Sequence, residues 1–226
     1  MENLIDRRHG RMLGEALDLK YQWRVFQVPW IPDKKVGDYE VSSFYVSDVD
    51  ESITRLRAAL NIKDRPFEAD RYVEEGTYKK LTYKNQILMT DTRTEILEHE
   101  ILLRQEGKVL LHGLGLGVAL MMLLSRPKVT HVTVVEIAAP VINMVVPIFR
   151  DLYESRRFTV IHGDAFSWKP RRSDHWDFVW HDIWNTISVD NFTEMEKLRK
   201  RFLKYSHRQG AWSRQYVQYL RRKHRK

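Results

Sequence analysis

The sequence contains no cysteine, and this absence excludes several kinds of protein. Without a thiol the chain cannot form a disulfide bond or a zinc site with cysteine ligands. Small secreted proteins commonly depend on such cross-links, whereas cytoplasmic proteins fold without them. The composition therefore favours a cytoplasmic location.

A long run of apolar residues is also missing. A helix that crosses a membrane needs roughly 20 consecutive apolar residues, and no stretch of this chain approaches that length. The N-terminal residues are interrupted by charged side chains, among them Asp6, Arg7 and Arg8, so they lack the apolar core of a signal peptide. With 43% hydrophobic residues in 226, the chain predicts a soluble globular protein that has one sizeable core and no membrane partner.

Acidic residues are absent from the last part of the chain. From Lys197 onward there are twelve Lys or Arg and no Asp or Glu, whereas the whole chain has a formal net charge of +8. The preceding part is therefore slightly acidic, with a net charge of about −4. A basic tail of this kind attracts nucleic acid or another polyanion. Such a tail also occurs as a solvated helix without a specific partner, and the sequence leaves both interpretations open.

Residues 1–76 combine helical and strand patterns in short segments. Residues 1–20 have helical periodicity, and residues 23–30 have an extended pattern that prolines interrupt. Residues 39–46 are rich in β-branched and aromatic side chains, and Ser47 is placed to cap a following helix. We therefore predict a small α/β appendage over residues 1–76.

A β-hairpin and a helix are predicted at the start of the second unit, residues 77–226. Residues 77–89 alternate in polarity, with Lys84 and Asn85 as the turn between two short strands. Thr92 is then placed to cap a helix.

The central feature of the chain is an apolar run that ends in closely spaced glycines. Residues 108–112 have the pattern of a buried strand, and Gly113, Gly115 and Gly117 follow at every second position before a helical segment begins. A strand, a glycine turn and a helix start are the parts with which a parallel α/β sheet binds a nucleotide-like ligand. Dinucleotide folds use G-x-G-x-x-G, but Val118 stands where their third glycine would be. The pattern here is G-x-G-x-G.

Acidic residues stand at the ends of the next three predicted strands. Glu136 follows residues 129–135, Asp164 follows residues 158–162, and Asp182 follows the strand that Asp177 begins. Because the carboxyl ends of parallel strands meet at one edge of the sheet, we expect these acids to lie near the glycine turn.

This series of motifs resembles class I S-adenosylmethionine-dependent methyltransferases and spermidine synthases, over residues 77–185. The resemblance implies an α/β fold with a Rossmann-like parallel sheet, a preceding β-hairpin and the small N-terminal α/β appendage. It implies S-adenosylmethionine as cofactor, held by the residues that match the family motifs. These residues are Gly113, Gly115, Gly117, Glu136, Ile137, Asp164 and Ala165. In such a site Glu136 binds the ribose hydroxyls, and Asp164 and Ala165 face the adenine.

The resemblance makes Asp182 the candidate catalytic residue, as the group that contacts the acceptor or removes its proton. The alternative interpretation is that Asp182 only caps the following helix. Trp180 and Trp184 fit the walls of an acceptor pocket, although a place in the core is favoured for both. No metal site is expected, because the nine histidines have no ligand-type spacing.

Two positions depart from the family patterns. Leu111 stands where methyltransferases commonly have an acid before the first glycine, and Leu116 stands where spermidine synthases hold the amine of the decarboxylated ligand. The second departure favours methyl transfer over aminopropyl transfer. A non-catalytic nucleotide-binding module with a polyanion-binding tail remains a further alternative. The acceptor, a small molecule or otherwise, and the oligomeric state are not determined by the sequence.

The end of the sheet is predicted to be abbreviated. Residues 191–205 have helical periodicity, and residues 209–217 are the only candidate for a fifth strand. The closing antiparallel hairpin of complete methyltransferases is missing or severely abbreviated, so either the fold is truncated or the N-terminal appendage covers that edge. Earlier in the chain, Pro147 predicts a kink or an early stop in the helix after Glu136.

Overall fold

In the computed structural model, which describes residues 18–61, 71–206 and 208–223, two β-sheets share one hydrophobic core. The first sheet is antiparallel, with four strands in the order β1-β2-β3-β4. Its strands are β1 (Lys34–Val36), β2 (Tyr39–Val46), β3 (Gly76–Tyr83) and β4 (Gln86–Thr90). The helices in this part are α1 (Leu19–Gln22) and α2 (Asp48–Asn61), with a 3-10 helix at Trp23–Phe26.

The predicted hairpin joins β3 and β4. Lys84 and Asn85 both have positive φ, 48° and 64°, which is the backbone of the two-residue turn that fits the twist of antiparallel strands. The boundary expected between residues 76 and 77 lies within the first sheet, because β2 and β3 pair along eight residues, from Tyr39 opposite Tyr83 to Val46 opposite Gly76.

The second sheet is parallel, with five strands in the order β7-β6-β5-β8-β9. Its strands are β5 (Gly107–His112), β6 (Val129–Glu136), β7 (Phe158–His162), β8 (Phe178–His181) and β9 (Gln209–Ala211). The helices are α3 (Arg93–Glu98), α4 (Val118–Leu124), α5 (Ala139–Leu152), α6 (Asn191–Phe202) and α7 (Arg214–Lys223), with 3-10 helices at Glu100–Arg104 and Ser155–Arg157. This α/β architecture is the predicted fold class, with the sheet abbreviated after its fifth strand.

The strand order creates a crevice between β5 and β8. After β5 the chain adds β6 and β7 on one side, then returns to add β8 and β9 on the other. Ligands of open α/β sheets bind at such a reversal, outside the carboxyl ends of the strands.

Alternating side chains of β5 pack into two hydrophobic clusters, one on each face of the parallel sheet. Val109 and Leu111 pack into the larger core with α4, α5 and the N-terminal part, whereas Leu110 packs into the core beneath α6. All seven residues of α4 are buried, which matches a sequence with no polar side chain. Full burial of such a side chain stabilises by about 1.5–3 kcal/mol, so α4 fixes the strand that carries the glycine turn.

Several local predictions were wrong. Residues 23–26 form a 3-10 helix instead of an extended segment, because Trp23 and Phe26 both turn into the core. Pro147 does not end α5 early: the helix runs on to Leu152, and buried Val146 and Phe149 hold it against the core. The helix predicted over residues 1–20 lies mostly outside the described residues.

The fifth strand is shorter than predicted. It ends at Ala211 instead of continuing to residue 217, because Ser213 has a positive φ of 49° and turns the chain into α7. Much of the predicted basic tail therefore lies in α6 and α7. Among the described residues, no helix combines the length and apolar character needed to cross a membrane.

Candidate functional site

A cleft of about 420 Å³ lies at the carboxyl ends of β5, β6, β7 and β8. It contains seven of the eight residues that the sequence predicts for the site. These residues are Gly113, Gly115, Glu136, Ile137, Asp164, Ala165 and Asp182. The eighth, Gly117, lies behind the cleft as the N-cap of α4. The volume of the cleft is that of a pocket for a small molecule or cofactor.

The three glycines are required for three different reasons. All have positive φ, at 92°, 52° and 82° in chain order, a conformation that side chains disfavour. A Cβ on Gly113 would collide with the Asp182 carbonyl oxygen, and one on Gly117 would enter the Phe149 ring. A Cβ on Gly115 would collide with the Met89 sulfur, which belongs to the hairpin. Only at Gly115 is the obstacle a flexible side chain, in the cleft itself.

Met89 covers part of the glycine turn. Its Sδ atom accepts a hydrogen bond from the Leu116 N–H at 3.0 Å, and its side chain lines the cleft. This hydrogen bond joins the hairpin to the glycine turn.

Glu136 is held rigidly at the end of β6. Its Oε2 accepts from the Leu114 N–H and its Oε1 accepts from the Ala138 N–H, each at 2.7 Å, and the residue is 7% exposed. A carboxylate oxygen has two lone pairs, so each oxygen can accept a second hydrogen bond. The carboxylate can therefore receive two hydroxyl groups of a ribose from the cleft side.

Asp164 begins the turn after β7. Its Oδ1 accepts from the Phe166 N–H at 2.9 Å, which leaves Oδ2 without a partner among the described residues. Ala165 is buried against the sheet, and half-buried Phe166 contributes an apolar surface to the same end of the cleft. This arrangement offers a hydrogen-bond acceptor beside an apolar wall, which suits a purine with an exocyclic amine.

Asp182 lies at the opposite end of the cleft, next to a histidine that the sequence analysis did not identify. Its Oδ2 is 3.4 Å from Nε2 of His99, whose side chain is 1% exposed. Burial raises the pKa of Asp182 well above its usual range, and the charges of Glu95, Glu98 and Glu136 raise that pKa further. Burial lowers the pKa of His99 to about 4. The distance permits an ion pair, but both shifts favour a neutral acid beside a neutral imidazole, and burial decides the state.

Glu95 is a second carboxyl group in this part of the cleft. It lines the cleft with Asp182, and the Trp212 side chain donates a hydrogen bond to it. Burial raises the pKa of Glu95 to about 7, against the opposing effect of Arg71. Glu95 and His99 were missed because neither follows a strand; their four-residue spacing was the only available signal. Two half-buried carboxyl groups therefore face this end of the cleft, and a cation bound there would favour their ionised forms.

Aromatic side chains flank the two carboxyl groups. Trp184 is half-buried: it packs against the core, as favoured, and it also lines the cleft, where its Nε1 donates to Glu194 at 2.7 Å. Trp180 does belong to the core, with 3% of its surface exposed. Tyr39 and Trp212 add to the cleft walls, and neither was predicted to lie there.

A buried pair of histidines joins β5 and β8 behind the cleft. Nδ1 of His112 lies 2.8 Å from Nδ1 of His181, and Nε2 of His181 lies 3.1 Å from Oε1 of Gln209. The Gln209 amide nitrogen donates to two backbone carbonyls, so its oxygen must accept from His181. His181 therefore accepts at Nδ1 from His112. Burial lowers both pKa values, that of His181 to about 4, so this chain of neutral groups fixes the two strands that carry Gly113 and Asp182.

No protein-family model matches the sequence, and a search of curated proteins finds no match. Solved structures do show similarity. The CcbJ methyltransferase of Streptomyces caelestis is 13% identical, over 48% of this chain and 46% of that one, with a TM-score of 0.39. An S-adenosylmethionine-dependent methyltransferase from Clostridium acetobutylicum is 16% identical, over 51% and 44%, with a TM-score of 0.34. The cyclase SpnF is 17% identical, over 50% and 42%, with a TM-score of 0.40.

The matched region covers about half of this chain and less than half of each of those three chains. At these identities and scores the similarity carries no assignment of activity. Function must be argued from the cleft itself.

Proposed function

We propose that the cleft binds S-adenosylmethionine and that the protein transfers the methyl group to an acceptor held beside Asp182. The observation that carries the proposal is the meeting of the glycine turn, Glu136, Asp164 and Asp182 in one cleft, although they come from four strand ends. The acids are spaced from one end of the cleft to the other, as the ribose, the adenine and the reacting group of such a ligand require.

The residues present fit this cofactor. Gly113 and Gly115 bring bare backbone to the cleft, Glu136 retains two acceptor positions, and Asp164 retains Oδ2. When bound, S-adenosylmethionine supplies a methyl group on a positively charged sulfur, with a neutral thioether as the leaving group. The protein then has to align the acceptor and receive its proton.

Asp182 is suited to receive that proton once the cleft holds a cation. Its raised pKa favours the protonated acid. A positive charge close to the carboxyl group lowers its pKa, so the loaded cleft contains the carboxylate base. Asp182, beside His99, would then accept the proton that the acceptor loses on methylation.

The test is calorimetry with three ligands: S-adenosylmethionine, its decarboxylated form and NAD. We expect binding of S-adenosylmethionine and none of NAD. The variant Gly115→Val should lose that binding and keep its circular-dichroism spectrum, because its new side chain meets Met89 in the cleft instead of the core. An unchanged affinity of this folded variant, or preferential binding of NAD, would refute the proposal.

One observation favours a second candidate, aminopropyl transfer to an amine. That reaction needs a carboxyl group near Asp182 to hold the amine, and Glu95 occupies the same end of the cleft. Leu116 counts against this candidate, because the amine of the decarboxylated cofactor would have no acid in the glycine turn. Tighter binding of decarboxylated S-adenosylmethionine than of S-adenosylmethionine would establish it over methyl transfer. Binding without turnover of any acceptor would indicate the non-catalytic module.

A further inference from the structure

Two separate segments of the chain form one basic surface beside the cleft. Lys169, Arg171 and Arg172 lie in the loop before β8, Lys197 and Lys200 lie on one side of α6, and Lys204 lies in the turn after α6. All six side chains belong to exposed residues. We call this set the basic ridge.

Three contacts fix the loop against α6. Arg201 donates to the Trp168 carbonyl at 2.6 Å, and the Tyr205 hydroxyl donates to the Pro170 carbonyl at 3.3 Å. The Trp176 N–H donates to the Tyr205 carbonyl at 3.0 Å. The two halves of the ridge are therefore held together by the fold, although 25 or more residues separate them in sequence.

The cations of the ridge have no acidic partners. In the described part of the chain none of the six forms an ion pair, whereas nearby Arg199 and Arg214 both pair with Glu196. The chain before Lys197 is slightly acidic, so the ridge stands out as positive on an otherwise acidic body. A concentration of unpaired cations creates a potential that attracts polyanions over about a Debye length.

The ridge reaches the purine end of the cleft. The Lys197 ammonium lies 5.5 Å from the centre of the Phe166 ring, which lines the cleft beside Asp164. A polyanion on the ridge would therefore pass the mouth of the cleft.

We infer that the basic ridge binds the phosphate backbone of nucleic acid. The six cations lie on a loop and a helix that hydrogen bonds hold together, which suits a ligand that carries many negative charges along its length. An anionic membrane is disfavoured, because Met195, Leu198 and Phe202, the apolar residues of α6, are buried in the protein and cannot insert between lipids. This inference does not depend on the cofactor or on catalysis.

The test measures fluorescence anisotropy of labelled 20-nucleotide RNA, as single strand and duplex, at several salt concentrations without cofactor. Two triple variants divide the ridge: Lys197→Gln with Lys200→Gln and Lys204→Gln, and Lys169→Gln with Arg171→Gln and Arg172→Gln. A matched control removes three exposed cations elsewhere, Lys34→Gln with Lys35→Gln and Arg57→Gln.

Each ridge variant should raise the Kd at least tenfold and reduce the slope of log K against log salt by about 2 to 3, whereas the control should change the Kd less than threefold. An equal loss in the control would show that net charge, not the ridge, drives binding. Tighter binding to phosphatidylserine vesicles than to either RNA at the same salt would also overturn the inference. Loss of RNA binding in the ridge variants with normal cofactor binding would separate this site from the proposed catalytic one.

Discussion

Asp182 is the residue to which the proposed function assigns the proton transfer. It is the acid nearest to a buried neutral imidazole, and three further carboxyl groups act on its pKa. A raised pKa at a cleft residue is typical of functional sites, since ordinary folding would not place an unpaired carboxyl there. The sequence could identify Asp182 from its place after β8. It could not identify His99 or Glu95, because their approach depends on how α3 packs across the sheet.

Asp182→Asn should bind S-adenosylmethionine and lose turnover by at least about 10²-fold, because the amide cannot receive the acceptor proton. The measurement is kcat with any acceptor that the wild-type protein methylates. Asp190→Asn, an exposed acid outside the cleft, is the matched control. Equal turnover of the two variants would leave Asp182 as a helix cap.

Cofactor binding should also release a proton from Asp182. The raised pKa favours the acid before binding, and a bound cation favours the carboxylate, so affinity should increase with pH through that pKa. Calorimetry in two buffers of different ionisation enthalpy should detect release of up to about one proton in the wild type and less in Asp182→Asn. The same proton count in both proteins would contradict this coupling.

Glu95 should make the fold less stable as pH rises. Its pKa is about 7 in the folded protein and about 4.3 in an unfolded chain, so the folded state binds the extra proton between these values. Stability is therefore greatest below the unfolded pKa and is lost as pH rises to 7. The free energy of unfolding should fall by about 2–3 kcal/mol between pH 5 and pH 7. Urea unfolding should show this slope in the wild type and a smaller one in Glu95→Gln; equal slopes would remove Glu95 as its source.

At the scale of elements, the glycines of the turn differ in what surrounds them. Gly117 touches the Phe149 ring in the core, whereas Gly115 faces the movable Met89 in the cleft. The sequence predicts the turn well, because strand, glycines and helix follow each other directly. The sequence could not show which glycine faces the core and which faces the cleft, because their neighbours come from distant parts of the chain. Gly113 faces the end of β8, Gly115 faces β4 and Gly117 faces α5.

Gly117→Ala should lower the free energy of unfolding by about 2–4 kcal/mol, from the disfavoured backbone and the collision with Phe149. Gly115→Ala should cost only about 1–2 kcal/mol, because Met89 can move aside. Urea denaturation of both variants tests the difference. If Gly115→Ala is as destabilising as Gly117→Ala, Met89 cannot move aside, and Gly115 is required for packing in the same way as Gly117.

Elements with only local signals were predicted less well. The hairpin, β5 and β6 combine pattern and turn chemistry and were found near their predicted places. β9 was extended too far, because the mixture of apolar and polar side chains in residues 212–217 suits either a strand or a helix. The positive φ of Ser213 decides the matter, and no residue preference indicates it.

At the scale of the whole molecule, the two sheets share one hydrophobic core. Trp23, Phe26 and Ile31 from the N-terminal part share a core with α4 and α5. The sequence patterns suggested an appendage followed by a catalytic unit. Long-range packing of this kind has no periodic signal, which is why the patterns could not show how much of the core precedes residue 77.

A fragment of residues 77–226 should therefore fail to fold independently. It would expose the β3 edge that pairs with β2 and the core surface that Trp23 and Phe26 cover. We expect the full chain to unfold in a single thermal transition and the fragment to aggregate or lack tertiary signals in near-ultraviolet circular dichroism. A folded fragment that binds S-adenosylmethionine would show instead that the N-terminal part is dispensable.

Met89 gives the cleft a built-in competitor. Its sulfur already engages the Leu116 N–H, so a ligand that needs this backbone group must first displace a thioether contributed by the protein itself. Because β4 carries that thioether, ligand binding at the glycine turn and the position of the hairpin are thermodynamically linked. A hairpin that moves away from the turn favours ligand binding, and a hairpin that packs against the turn disfavours it.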